Sequence, residues 1–377
     1  MGPLSGIRVI EMKGIGPGPY AGMLLADLGA EVIVVERSST AGGVGLPPHV
    51  DIHSRGKKSI VLDVRTADGL ADLMSLVETS DVIFEGNRPG VAERLGFGPD
   101  DCFERNPKLI YGRITGWGQT GPLANAAGHD INFISLTGAL AAIGGADKPV
   151  PPLNIVGDYA GGSLFLVIGI LAALVEMRIS GKGQVVDAAI TDGSASLMSL
   201  FYSLDALDQW MPRRASNLLD GAAHFYCVYE TADGKFISIG PIEPQFYALL
   251  IKKARLDPAY FELQNDPSCW PEQKAKLEQV FKTRTRDEWC SILEGTDTCF
   301  APVLDYREAP NHEHNRARET YIDINGLTQP APAPRFSRSK CRIPSAPHMA
   351  GEDTQTVLDE LRRSSPDQRD PTSSADS

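Results

Sequence analysis

The chain is poor in the residues that would tie it to metals, oxidising compartments or membranes. Its six cysteines, Cys102, Cys227, Cys269, Cys290, Cys299 and Cys341, are spread through 377 residues without a CxxC pair or zinc-ligand spacing. Free thiols in a reducing compartment are the simplest reading, and no metal site is expected. His312-Glu313-His314 reads as an exposed polar loop rather than a ligand set. No basic, then apolar, then small-residue succession precedes the strand that begins at Ile7, so no secretory signal is expected. The last residues, Ala375-Asp376-Ser377, are not a Ser-Lys-Leu address, and for a bacterial source the expectation is a cytoplasmic protein. The longest apolar run, Leu164 to Val175, is interrupted by Gly169 and is shorter than a bilayer requires. It reads as a buried helix, and no membrane insertion is expected. Positive charge is also scarce: 36 Lys and Arg against 48 Asp and Glu leave a net charge of -12, which counts against nucleic acid as a partner.

What is present suits a two-domain α/β protein. Hydrophobic residues make up 42% of the chain, enough for two cores. Ile7–Met12, a tight turn over Gly14–Pro19, a helix over Tyr20–Leu28 and Glu31–Glu36 form a βαβ opening. Apolar runs at Ser59–Leu62, Val82–Glu85 and Leu109–Ile114 alternate with helical stretches such as Asp68–Glu78. The sum predicts a large Rossmann-like, doubly wound domain over 1–190. A long helix over Thr191–Trp210 and a linker to 224 lead away from it. Phe225–Thr231 and Lys235–Gly240 flank Asp233-Gly234, a hairpin signal that opens a smaller α+β domain over 225–329. Its helices fall at Gln245–Ala254, Gln273–Thr283 and Arg286–Leu293. A proline-rich return segment with a terminal helix occupies 330–362, and 363–377 has the composition of a disordered tail.

Gly14-Ile15-Gly16-Pro17-Gly18-Pro19 departs from a dinucleotide fingerprint, because Pro19 stands where the third glycine is needed and Arg37 directly follows Glu36. No Walker sequence is present. Arg37, the segment Arg55-Gly56-Lys57-Lys58-Ser59, Arg88 and Arg94 instead suggest a fork-shaped site for the phosphates of a carrier, with solvated surface charge as the alternative for each residue alone. Two glycine-flanked acid/base groups stand out: Gly128-His129-Asp130 and Gly157-Asp158. A histidine titrating near 6.5 and a carboxylate that burial can raise suit chemistry in which a proton leaves one face of a carbon and returns on the other. Asp130 and Asp158 are also what helices over Ile131–Ile143 and Tyr159–Arg178 would use as N-caps.

Ala127-Gly128-His129-Asp130-Ile131-Asn132, Pro152-Leu153-Asn154-Ile155-Val156-Gly157-Asp158, Asn217-Leu218-Leu219-Asp220-Gly221 and Ile242-Glu243-Pro244-Gln245-Phe246-Tyr247 together resemble the α-methylacyl-CoA racemases of the family III CoA-transferase superfamily. So do Gly116-Trp117-Gly118-Gln119-Thr120-Gly121 and Gly181-Lys182-Gly183-Gln184, and the similarity runs from about Gly2 to Thr354. The resemblance implies an interlocked homodimer acting on 2-methyl-branched acyl-CoA, with CoA as part of the substrate and no separate cofactor. It implies His129 and Asp158 as the acid/base pair and Glu243 as the support of His129. Ile15, Gly16, Pro17, Arg37, Lys57, Ser59, Arg88 and Arg94 would contact CoA. Asp130, Asn154, Gly157, Asp220 and Tyr226 would contact the rest of the substrate.

Two departures from the family pattern stand out. Gly221-Ala222-Ala223-His224 replaces Gly-Gly-Ala-Pro and places a histidine near the expected acyl pocket. Thr40–Ile52 is unusually rich in glycine and proline where adenine would bind. Amides at the start of the Tyr159 helix, including that of Asp158, are expected to receive the thioester oxygen. A dry pocket would raise the Asp158 pKa while the helix terminus would lower it, and the sequence leaves that balance open. A CoA transferase with a nucleophilic Asp158 is the alternative chemistry.

Overall fold

Val9-Ile10 and Val32 to Val35 are continuous apolar runs, the pattern of strands covered on both faces. In a computed structural model describing residues 1–37 and 46–364, they lie inside a six-stranded sheet whose neighbours all pair in parallel. Its strands are β1 (Arg8–Met12), β2 (Glu31–Glu36), β3 (Lys57–Val61), β4 (Val82–Glu85), β5 (Ile110–Thr115) and β6 (Gln184–Ala189). Their spatial order is β3-β2-β1-β4-β5-β6. The winding direction reverses between β1 and β4, where doubly wound sheets open a crevice beyond the strand C-termini.

Side chains alternate across the sheet and feed two cores. On one face Ile10, Ile33, Ile60 and Ile83 pack with Leu73 and Leu76 of α2 (Ala67–Glu78), Ala92 of α3 (Val91–Leu95), Cys102 of α4 (Pro99–Arg105) and Val357 of α14 (Thr354–Ser364). On the other, Val9, Val32, Val82, Phe84 and Ile110 meet Ala21 and Leu25 of α1 (Pro17–Asp27) and Leu166 and Ile170 of α7 (Phe165–Ser180). Each fully buried Leu, Ile or Val contributes roughly 1.5–3 kcal/mol, so these two layers outweigh local propensity.

The return segment covers the exposed edge of the sheet. Ser59 N donates to Asp353 Oδ2 at 2.8 Å and Val61 N to Thr354 Oγ1 at 3.0 Å, which satisfies amides that an edge strand would leave open. This first unit comprises Met1–Thr137, Leu153–Leu197 and Tyr321–Ser377. The antiparallel pair β10 (Tyr321–Ile324) and β11 (Leu327–Pro330) belongs to it.

The second unit comprises Gly138–Pro152 and Met198–Thr320, so it begins before the expected 225 and ends before 329. Its sheet runs β7 (Cys227–Glu230), β8 (Phe236–Ile239), β9 (Phe300–Val303), all antiparallel. The Asp233-Gly234 turn joins β7 to β8 as its sequence predicts. Phe225, Tyr229, Ile237 and Ile239 pack with Tyr247 and Leu250 of α10 (Pro244–Lys253), Leu277 and Phe281 of α11 (Trp270–Phe281) and Trp289 of α12 (Arg286–Leu293). The unit also holds α6 (Ala139–Ala142), α9 (Ser199–Asp205) and α13 (Glu313–Ala317).

Three helices differ from expectation. Ile131–Ile143 is not one helix but α5 (Asp130–Ser135) and α6, parted at Gly138. Thr191–Trp210 is α8 (Ile190–Leu197) and α9, parted at Met198. Gly169 does not interrupt the apolar run: helix continues over Ile155–Ser180, 26 residues, which is long enough by length and composition to cross a bilayer. The burial of Leu166, Val167, Ile170, Ala173 and Leu174 against the sheet gives this helix a protein core to occupy. Residues 38–45, in the segment expected to bind adenine, and 365–377, in the expected tail, lie outside the described residues.

Candidate active site

Asp158 sits inside a π-helical segment, Ile155–Leu164, where amides reach five residues back: Tyr159 N donates to Asn154 O at 3.3 Å. Wide turns of this kind recur at functional sites because they splay one side chain out of register. Both backbone groups of Asp158 are held. Its amide donates to Asp130 Oδ2 at 2.7 Å, and its carbonyl accepts from Ser163 Oγ at 3.0 Å. The same Ser163 hydroxyl reaches Pro17 O at 2.7 Å and ties the segment to the start of α1.

Neither aspartate is an N-cap. Asn154 precedes the π segment and His129 precedes α5. Asp130 instead turns its carboxylate onto the backbone of the neighbouring segment. Gly157 permits this, since a Cβ there would overlap the Asp130 carboxylate and touch Ile134. Asp130 is buried and its Oδ1 has no partner among the described residues. The expected use of the Asp158 amide as a donor to the thioester oxygen is therefore corrected: that N–H is already engaged.

The Asp158 carboxyl is half-buried, and Asn154 Nδ2 approaches its Oδ2 at 3.5 Å, a long contact. Burial first, and the Asp130 charge second, push its pKa up to about 6; Asn154 and His129 pull the other way. Desolvation thus wins over the polar groups around it. The Gly14–Pro19 turn arrives here too. Gly16 (φ 67°) lies so close that a Cβ would stand 3.0 Å from Asp158 Oδ2, so Gly16 and Pro17 border the Asp158 segment. Ile15 beside them is 65% exposed.

His129 is exposed, and its backbone amide donates to Asn132 Oδ1 at 3.1 Å. Trp117 and Phe133 pack edge to face at 4.8 Å between ring centroids under this turn. One first-unit cluster has no counterpart in the sequence reading. Tyr159, next to Asp158, lies 4.5 Å from Tyr20 and 5.7 Å from His53, ring to ring.

The basic residues divide into two groups. Arg37, Arg88 and Arg94 are exposed and form no ion pair among the described residues. Lys57 and Ser59 are corrected as phosphate contacts. Lys57 is buried, paired to Glu11 Oε2 at 2.5 Å and donating to Pro19 O at 2.9 Å. Ser59 is buried, donates to Glu36 and accepts from Gly351 N. Arg55 is likewise internal, held by Asp27 at 2.6 Å and by Gln329 Oε1 at 2.8 Å. These groups are buried and join α1, β3 and the return segment through the bonds named, which turns them to the interior and away from a ligand. Glu85, at the C-terminal end of β4, is a buried carboxyl that the sequence reading did not single out. Burial raises its pKa to about 7 against the pull of the Asn87 amide and Arg113.

In the second unit, Asp220 and Tyr226 line one cavity of about 470 Å³ with Cys227, Gly240 and Cys299. The Asp220 carboxylate itself is filled by four donors, the amides of Ser216, Asn217 and Ala222 and Asn217 Nδ2. Asp220 therefore shapes the wall and is corrected as a direct substrate ligand. Glu243 is exposed at the start of α10, on a loop fixed by Gln264 Nε2, which donates to Pro241 O and Ile242 O at 3.0 Å each. His224 does not line the cavity. It is fully buried against Phe225 and Phe261, with Nε2 2.6 Å from the Tyr247 hydroxyl, and burial lowers its pKa to about 4.

The chain matches the family model described as CoA-transferase family III over residues 4–354. It is 44% identical over 361 residues to the α-methylacyl-CoA racemase of Mus musculus, covering 95% of this chain and 93% of that protein. With the α-methylacyl-CoA racemase of Homo sapiens the identity is 42%, again over 95% and 93%. A crystal structure of a CAIB/BAIF family protein from Brucella suis superimposes with a TM-score of 0.80 at 27% identity, over 96% of this chain and 99% of that one.

Proposed function

The chain belongs to CoA-transferase family III, and from that premise we propose that it interconverts (2R)- and (2S)-2-methylacyl-CoA thioesters by removing and returning the α-proton. One observation carries the reading: a half-buried Asp158 whose pKa stands near 6 is held by both backbone groups, with the exposed His129 ring bearing on its charge. Near neutrality such a carboxyl passes between acid and base with little driving-force mismatch. His129 serves one face of the α-carbon and Asp158 the other. Glu243 is assigned as the support of His129 on the family resemblance.

The enolate oxygen needs donors other than the Asp158 amide. The first-turn amides of α5, at Asp130 and Ile131, have no acceptor among the described residues and are assigned this task. Arg37, Arg88 and Arg94 hold CoA phosphates, and CoA enters as part of the substrate with no separate cofactor. The homodimer is supported by an apolar stripe on the long helix: Leu164, Ile168, Val175 and Ile179, spaced to share one face, are 41%, 60%, 64% and 85% exposed. The enzyme is read as not inserted in a membrane and, for a bacterial source, as cytoplasmic.

A family III transferase would instead use Asp158 as a nucleophile. The test is incubation with one enantiomer of a 2-methylacyl-CoA, without and with a carboxylate acceptor, followed by hydroxylamine or borohydride trapping and mass spectrometry of the Asp158 peptide. The racemase reading predicts inversion without acceptor and an unmodified peptide. A trapped Asp158 adduct together with acceptor-dependent CoA transfer would overturn it.

A further inference from the structure

We propose that Asp130 is a positioning residue for Asp158: its buried carboxylate clamps the Asp158 amide, fixes the π turn that presents the Asp158 side chain, and sets a second acidic group beside it. The inference rests on the racemase reading and assigns Asp130 a role distinct from substrate contact.

Four features of the geometry converge on it. The Asp158 N to Asp130 Oδ2 bond is 2.7 Å long and links residues 28 apart in sequence, so it is a tertiary contact and not a local cap. Gly157 is the residue whose missing Cβ lets the carboxylate reach that amide. Asp130 is 7% exposed, and its Oδ1 has no partner among the described residues, an arrangement in which little solvent screens its field at short range. On the other side Ser163 Oγ holds the Asp158 carbonyl, so the peptide units on both sides of Asp158 are anchored and the carboxyl has a fixed origin.

The groups acting on Asp158 are few. Asp130 and His129 come from the start of α5, and Asn154 from its own segment. The Gly14–Pro19 turn that meets it at Gly16 contains no ionisable side chain. Helix α8 meets the segment at Gly161 and Gly162 through Ser194 and Ile190, neither ionisable. Among these groups Asp130 is the one that raises the proton affinity of Asp158, in addition to burial.

The two enantiomers react with forms of the His129/Asp158 pair that hold the same number of protons, so both directions share one bell-shaped pH profile. Asp130→Asn keeps a carbonyl oxygen for the Asp158 amide and removes the charge. Asp158 then holds its proton less tightly, and the acid limb of kcat/KM moves to lower pH for both enantiomers. Asp130→Ala removes clamp and charge together, and kcat falls further than in Asp130→Asn.

The experiment measures kcat/KM against pH for wild type and Asp130→Asn, with folding checked by circular dichroism, and amide hydrogen exchange at Asp158 in wild type. The expected results are an acidward shift of the acid limb and a protected amide. A folded Asp130→Asn whose limb stays in place contradicts the charge role. A rapidly exchanging Asp158 amide in wild type contradicts the clamp even where no Asp130 variant folds. Absence of inversion by the wild type would sink the racemase reading itself, an outcome distinct from either.

Discussion

Arginines on this chain look alike in sequence and behave in two ways once folded. Arg55 is 1% exposed and bonded to Asp27, Gln329 and Pro330, whereas Arg37, Arg88 and Arg94 are exposed and unpaired among the described residues. The difference assigns them different variants. Replacing Arg55 strands the buried Asp27 carboxylate and is a stability lesion. With Arg88 and Arg94 proposed to hold CoA phosphates, Arg88→Ala and Arg94→Ala are expected to remove charge-assisted bonds each worth ~1.5–3 kcal/mol, or about 10–100-fold. They raise KM in a salt-sensitive manner. Steady-state kinetics at two ionic strengths checks this; a loss confined to kcat with unchanged, salt-independent KM places the two residues at the reacting carbon instead. The segment containing Arg55, Lys57 and Ser59 misleads from sequence because a buried cation and an exposed one have the same letter. Only the carboxylates opposite them, Asp27, Glu11 and Glu36, decide which is which, and those lie 23 to 46 residues away.

Secondary-structure elements divide along the same line between local and distant causes. Glu31–Glu36 and Val82–Glu85 are recovered to the residue, because parallel strands covered on both faces are short apolar runs bounded by turn residues. Pro244–Lys253 and Arg286–Leu293 also announce themselves, through Pro at the first helical position and a Thr285/Glu288 capping box. The π turn over Ile155–Leu164 has no comparable signature. Its register is set by Asp130 and Ser163 holding the two backbone groups of Asp158, so Asp158 could be singled out as a candidate from sequence while the contacts that hold it could not. The long helix that follows carries a prediction of its own. If its apolar stripe is the seam between two copies, Ile168→Glu combined with Val175→Glu yields a folded monomer by light scattering, with activity lost as the partner leaves. A double variant that keeps the dimer mass contradicts the assignment of this face.

The residues proposed for function fall in both units, His129, Asp158, Asp130 and the exposed arginines in the first and Glu243, Tyr226 and the cavity in the second. The doubly wound sheet supplies strand ends and a switch point, while the second unit has an aromatic core around Phe225, Tyr247 and Trp270. His224 shows how a sequence position can mislead at this level, since it lies in that core and not on the wall it adjoins.

The claim on which the account turns is that two groups address opposite faces of one carbon. It is tested by incubating (2R)- and (2S)-2-methylacyl-CoA separately in deuterium oxide with wild type, His129→Ala and Asp158→Ala, and following both α-deuteration and configuration. The account predicts that wild type labels and inverts both substrates. Each variant stops inverting, below about a hundredth of the wild-type rate, and still exchanges the α-proton of one enantiomer, a different one for each variant. Inversion surviving in either variant, or equal loss of exchange from both enantiomers in both, would contradict it.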